Sequence, residues 1–279
     1  MKYVFFGTPE FAEIILKGLI NAGMPPVAIV CNPDRPVGRK KLVTSPLTKQ
    51  IAEEHNIEVY QPEKKKDLIE LSTSLSEMAD FGVVAAYAKI IPLEVIDKFK
   101  LGIMGIHPSL LPKFRGPSPI QSAILSGESE TGTTLFMLTK GVDDGPILSR
   151  EAVNIKNKNY EELVEVLGEL SLKLMIRILP VFDSGKVKPV TQDQSKATFT
   201  SFFESNAGLV SEGDLQDALN GNEEKSLKIE RMVRALNPEP GVYTIIKGKR
   251  TKLLAVHKDG FTLVLEKIQK EGKKPEIVS

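Results

Sequence analysis

Two residues in this chain have proton-transfer chemistry and sit where a fold could bring them together. His107 closes a short apolar run, Ile103 to Ile106. Asp143 lies in the polar turn Gly141-Val142-Asp143-Asp144-Gly145, after a second apolar run from Thr134 to Leu138. An imidazole and a carboxylate are well suited to general acid–base work. The stretch that holds the histidine, GIHPSLLPKFRGPSPIQSAILSG from Gly105 to Gly127, passes from a strand into a proline-rich turn. It then reads as a short amphipathic helix from about Ser118 to Leu125. Pro108 and Pro112 stiffen the turn and lower the entropy lost when a ligand binds. In an open α/β sheet, ligands lie beyond the carboxyl ends of the strands. Both residues are expected there, on turns that follow strands.

The elements that must position them follow from the pattern of the chain. Residues 2–6 form a short continuous apolar run bounded by Gly7, as a buried parallel strand does. Thr8 suits a helix N-cap, with Pro9 at the first helical position of a helix from Glu10 to Ala22. The single glycine in this turn disfavours a dinucleotide site. Strands are expected at Pro26–Cys31, Ile57–Tyr60 and Gly82–Tyr87, the last leaving through Ala88–Pro92. Helices are expected at Ser45–His55, from Lys64 onward, and at Tyr160–Leu179, where leucines recur at helical spacing. The loop from Asn32 to Pro46 carries Arg35, Arg39, Lys40 and Lys41 and is longer than an ordinary connection. Residues 186–206 lose periodicity and read as a linker. A helix at Ser226–Leu236 and three short strands, Val242–Ile246, Lys252–Val256 and Phe261–Glu266, complete the chain. The expected organisation is a catalytic α/β domain over 1–185, the linker, and a small β domain over 207–279.

Composition sets outer bounds. The 279 residues are 41% hydrophobic and 26% charged, as in a globular protein and not a disordered one. The net charge of +1 is unevenly spread: residues 225–279 carry +7 and the rest −6. A basic tail on an acidic body points to a polyanionic partner met through one end. The one cysteine, Cys31, rules out an intrachain disulfide and is expected to be a small buried apolar residue. No apolar segment approaches a membrane span, so a cytoplasmic chain is expected. No His/Cys/carboxylate cluster has metal-ligand spacing.

The segment HPSLLPKFRGPSPIQ resembles the signature of the folate-dependent formyltransferases. FFGTPEFA at 5–12, NPDRPVGRKKLVTSPLTK at 32–49 and RALNPEPGVYT at 234–244 are similar to the members that act on methionyl-tRNA. The matches span nearly the whole chain in the family's order. The resemblance implies a Rossmann-like, mostly parallel α/β sheet with a small OB-like β domain. It implies formyl transfer from 10-formyltetrahydrofolate, without a metal, to an amine on a tRNA, by a monomer. It implies that His107 and Asp143 are catalytic, and that Ser109, Leu110, Leu111 and Pro112, with Tyr87, Ile90 and Ile91, line the folate site. Phe11 would lie near the methionyl side chain, and Arg35, Arg39, Lys40 and Lys41 would meet the tRNA. Lys113 and Arg115 would meet either the folate tail or the tRNA terminus.

Three departures mark this chain. Gly105 stands where the family has an asparagine that donates to the oxyanion, and the missing side chain is expected to leave room for a water or a backbone N–H. Asp144 stands in place of a threonine. The C-terminal domain is expected to be abbreviated, with a barrel that does not close. Two other readings share the same turn: a sugar-nucleotide N-formyltransferase, and a silent tRNA- or folate-binding protein motivated by Gly105.

Overall fold

The computed structural model describes residues 1–37 and 41–278. In chain order come β1 (Tyr3–Gly7), α1 (Glu10–Asn21), β2 (Ala28–Val30), β3 (Arg35–Val37), β4 (Leu42–Thr44) and α2 (Leu47–Glu54). Then follow β5 (Glu58–Tyr60), α3 (Lys65–Met78), β6 (Phe81–Ala85), α4 (Leu93–Ile96), β7 (Ile103–His107) and α5 (Pro119–Ser126). The next elements are β8 (Glu130–Met137), β9 (Ile147–Asn154), α6 (Tyr160–Asp183), β10 (Leu209–Val210), α7 (Glu212–Leu219) and α8 (Glu223–Leu236). The chain ends with β11 (Tyr243–Ile246), β12 (Lys249–Asp259), β13 (Thr262–Lys270) and β14 (Glu276–Ile277).

Two compact units emerge, and neither is a continuous stretch of sequence. The first comprises Met1–Gly116, Thr131–Val153 and Val164–Phe199; the second comprises Pro117–Glu130, Asn154–Leu163 and Thr200–Ser279. Most of the stretch that reads as a linker therefore belongs to the first unit. Its backbone is tied down there: Ile147 and Val190 exchange two hydrogen bonds, and the Arg115 N–H donates to the Thr198 carbonyl. Composition alone misses such docking, because polar residues satisfied by backbone partners look the same as solvated ones.

The first unit is built on a seven-stranded sheet in the order β5-β2-β1-β6-β7-β8-β9. Pairing is parallel from β5 through β7 and antiparallel between β7 and β8. The inner strands are short apolar runs, and Tyr3, Val4, Phe5 and Phe6 are all fully buried. Such continuous burial is what a parallel sheet covered on both faces requires. Helices α1 and α6 approach closely at Gly18, where a Cβ would fall 2.1 Å from Leu172 Cδ2. Thr8 is not the cap of α1: Pro9 takes that position, and the Thr8 hydroxyl accepts the Asn32 N–H at 3.1 Å, joining the ends of β1 and β2.

The basic loop after β2 contains structure that its composition hides. β3 and β4 pair as an antiparallel ribbon, Arg35 opposite Thr44 and Val37 opposite Leu42. At its base, Asp34 accepts hydrogen bonds from Lys49, Gln61 and Ser45. The Gln61 amide and the Lys49 ammonium hold the Asp34 carboxyl below the usual carboxylate range.

The second unit carries a five-stranded sheet in the open order β10-β11-β12-β13-β14, with one parallel pair, β10 with β11, and antiparallel pairs beyond. β12 and β13 are longer than the sequence pattern suggests. In β12, buried Thr251 and Leu253 alternate with exposed Arg250 and Lys252, so a search for apolar runs understates the strand. Helix α7 lies outside the sequence expectation; its signal was Ser211, whose hydroxyl accepts the Asp214 N–H at 3.0 Å as an N-cap.

Cys31 is fully buried, and burial pushes its thiol up to about 11. At pH 8 the thiolate is then on the order of one part in 10³. Iodoacetamide should leave folded protein unmodified over an hour at pH 8 and alkylate it readily in guanidinium; mass spectrometry reads both. Rapid alkylation of folded protein would mean the thiol is exposed or its strand end opens.

Candidate active site

His107 is the last residue of β7 and is 6% exposed. Its Nε2 lies 2.8 Å from the Phe114 carbonyl, to which it donates. Its Nδ1 lies 3.6 Å from Asp143 Oδ2, an ion-pair distance longer than a hydrogen bond. A carbonyl only accepts, so Nε2 is the nitrogen that carries a proton in this contact. The Phe136 ring stands edge-to-face beside it, centroids 6.5 Å apart.

Asp143 arrives by a route that the sequence pattern does not indicate. β8 runs antiparallel to β7, with His107 opposite Thr134 and Met104 opposite Met137. The far end of β8 therefore lies at the opposite end of the sheet from His107. The connection from Leu138 to Gly145, closed where the Met137 N–H donates to the Pro146 carbonyl, must fold back to deliver the carboxylate. Asp143 itself takes a left-handed backbone conformation, φ +49°. Its Oδ2 accepts the Gly116 N–H at 2.8 Å, which fixes the carboxylate beside the ring. Asp144 is occupied elsewhere, accepting from the Thr139 hydroxyl.

The turn after His107 is stiffer than its prolines alone require. Ser109 Oγ donates to the Lys113 carbonyl at 2.6 Å. Thr134 Oγ1 donates to the Ser109 carbonyl at 2.7 Å and accepts the Leu111 N–H at 3.1 Å. Ser109 and Leu111 are fully buried, whereas Leu110 and Pro112 are partly exposed. Thr134 gives no sign of this in the sequence because its hydroxyl is committed to backbone, which no residue pattern displays.

β6 and β7 pair in parallel with Ala85 beside Ile106, so the Ala86–Pro92 exit starts next to His107. Ile90 there is 86% exposed, an unusual position for a large apolar side chain, while Tyr87 and Ile91 are buried. The buried Tyr87 hydroxyl has no hydrogen-bond partner among the described residues, and burial raises it to about 12. Phe11 is buried on α1, in keeping with a core position.

The remaining basic residues divide. Arg35 and Lys41 are exposed on and beside the β3–β4 ribbon, and Arg39 and Lys40 lie outside the described residues. Lys113 is exposed. Arg115 is only 2% exposed, so it is not available to a polyanion at the surface. Its guanidinium donates to Gln192 and Gln194 and lies 5.8 Å over the Phe199 ring.

Gly105 faces the same side of β7 as His107, two residues away. The space beside it is filled: a Cβ there would meet Phe136 Cε1 at 2.4 Å, Phe136 Cζ at 2.6 Å and Leu138 Cδ1 at 2.8 Å. The expected room for a water or a donor is taken by an aromatic ring and an isobutyl group. No group of three His, Cys, Asp or Glu among the described residues could hold a metal ion. No helix among them is long and apolar enough to cross a membrane.

Known proteins resemble this chain over most of its length. The Formyl transferase family model matches residues 1–179, and the model of the Formyl transferase C-terminal domain matches residues 223–262. A methionyl-tRNA formyltransferase of Chloroflexus aurantiacus is 36% identical over 255 residues, covering 91% of this chain and 79% of that protein. Methionyl-tRNA formyltransferase from Clostridium thermocellum superposes with a TM-score of 0.61 at 16% identity, over 97% of this chain and 98% of that one. An N-formyltransferase from Helicobacter canadensis, in complex with folinic acid and dTDP-3-aminofucose, gives a TM-score of 0.68 at 18% identity, over 93% and 89%. The two structural likenesses show the fold alone.

Proposed function

We propose, from the premise that this chain belongs to the formyl transferase family, that it moves a formyl group from 10-formyltetrahydrofolate to the α-amine of methionyl-tRNA. The observation that carries the acceptor is the 36% identity to a methionyl-tRNA formyltransferase, sustained over 91% of the chain. The observation that supports the chemistry is the His107–Asp143 pair at 3.6 Å, beside the stiffened Ser109–Pro112 turn.

The residues around the turn fit a folate. Ile90 offers exposed apolar area and the buried Tyr87 hydroxyl lacks a partner among the described residues, features suited to a flat ring with polar edges. When bound, the folate supplies the formyl carbon that the amine attacks, and tetrahydrofolate leaves. His107 holds a proton on Nε2, which it donates to Phe114 O. Moving that donation to the oxygen that gains charge exchanges a neutral acceptor for an ionic one. The gain exists only as charge develops, which is what accelerates the step. Asp143, fixed by Gly116 N–H, holds the ring in orientation and takes part in removing the amine's proton. Arg35, Arg39, Lys40 and Lys41 are assigned to the tRNA, and Phe11 to the methionyl side chain, on the family's pattern. Charge neutralisation by those basic residues makes tRNA binding weaken steeply with salt.

The test is formyl transfer with charged initiator tRNA against an amino-sugar nucleotide, both with 10-formyltetrahydrofolate. Formyl-methionyl-tRNA should form and the sugar should stay unmodified. Formylation of the sugar alone would favour a sugar N-formyltransferase, and tight binding without product a silent binding protein.

A further inference from the structure

We infer that Gln192 is a positioning residue for the proposed reaction: it clamps the turn that presents Asp143 to His107, with Arg115 as its anchor. The inference rests on the functional reading above. Gln192 is 4% exposed. Its Oε1 accepts from Arg115 Nε at 3.2 Å and Nη2 at 2.7 Å. Its Nε2 donates to the Asp143 carbonyl at 2.8 Å and the Gly145 carbonyl at 2.7 Å. A guanidinium only donates and carbonyls only accept, so the amide's orientation is fixed by its partners.

The clamp acts where the backbone needs it. Asp143 holds a left-handed conformation, which a side-chain-bearing residue keeps only when its surroundings impose it. Two carbonyls, one on either side of Asp144, converge on one NH₂ group, which holds the turn from both sides. Asp143 Oδ2 sits on the Gly116 N–H, next in the chain to the Arg115 that anchors Gln192. Both ends of the carboxylate's support thus run through one buried pair. The segment carrying Gln192 is itself held: the Phe114 N–H donates to Thr198 Oγ1 at 2.8 Å and the Arg115 N–H to the Thr198 carbonyl at 2.9 Å.

Gln192→Glu separates the two arms of the clamp. It keeps the acceptor for Arg115 but replaces the NH₂ with an oxygen that repels both carbonyls. A misplacement near 1 Å costs about 10²-fold, so kcat should fall roughly tenfold to hundredfold, with KM for 10-formyltetrahydrofolate little changed. Gln192→Met keeps the volume and supplies neither arm; it should lower kcat in the same way and covers the case in which the glutamate variant does not fold. Each is combined with Asp143→Asn. If Gln192 works through Asp143, the second substitution should add little to the first. The ring ¹⁵N signals of His107, one of three histidines, should shift in Gln192→Glu towards those of Asp143→Asn. Multiplying rate effects, or an unmoved His107 signal, would overturn the inference. If Asp143→Asn alone leaves the rate intact, the functional reading of the pair fails first.

Discussion

Replacing His107 by glutamine should lower kcat for formyl transfer by about 10²–10⁴, the range in which a positioned acid or base contributes. Glutamine can place an NH₂ near the position of Nε2, so the donation to Phe114 O and the fold can survive. It has no ring nitrogen to turn towards Asp143 and cannot relay a proton between the two positions. The loss should therefore fall on kcat, with KM for both substrates within a few-fold, because an interaction made only in the transition state has been removed. Single-turnover quench-flow with charged tRNA separates this step from product release. A rate within threefold of the unsubstituted chain would move the oxyanion contact away from this imidazole, and the functional proposal would need another group. The ring's surroundings make such a group hard to find. Phe136 covers one side of it, and the carboxylate and the Phe114 carbonyl occupy its two nitrogens.

Much of this site is legible in the residue order, for a definite reason. His107 closes a fully buried apolar strand, and a parallel strand's carboxyl end is a fixed address in the fold. The proline turn is local, so its stiffness can be read from Pro108 and Pro112. The strands β1, β6 and β7 and the helices α1 and α6 follow from runs and spacings a few residues long. What could not be read depends on pairing between distant residues. The antiparallel course of β8 reverses the end of the sheet at which Asp143's connection starts, and no local pattern distinguishes it from a parallel strand. Thr134 and Gln192 act through backbone carbonyls and amides, so their role leaves no compositional trace. Gln192 also sits in a polar stretch that reads as solvated. Arg115 has the composition of a surface cation and is a buried anchor, since its partners lie 77 and 79 residues away. Helix α5 belongs to the second unit although it follows the site's turn directly in the chain, so one cut point does not divide this protein.

Gly105→Asn should destabilise the chain and leave it no faster, although it restores the donor found in the resembling family. The first atom of the new side chain already falls 2.4 Å from the Phe136 ring and 2.8 Å from Leu138. Phe136 is 3% exposed and packed against His107, so it cannot swing away without disturbing the imidazole. Inserting atoms into a filled core costs about 1–3 kcal/mol, which should appear as a fall of several degrees in Tm. Any asparagine that did fit would displace a ring that stands edge-to-face with His107, so kcat should stay level or drop. The interference can be isolated by adding Phe136→Ala. On its own that change opens a cavity at a cost of about 3–5 kcal/mol. Combined with Gly105→Asn, the two should be less damaging than their sum, because each fills or vacates the same volume. If the double variant also turns over faster than Phe136→Ala alone, a donor at position 105 still serves the reaction once the ring is gone. Were the single Gly105→Asn variant both stable and faster, the packing would be looser than described and the glycine would be a simple loss. Strict additivity of the two substitutions would count against the shared volume in the same way. The close approach of a Cβ at position 105 to the Phe136 ring predicts non-additivity: a side chain at 105 needs the space that the ring now fills.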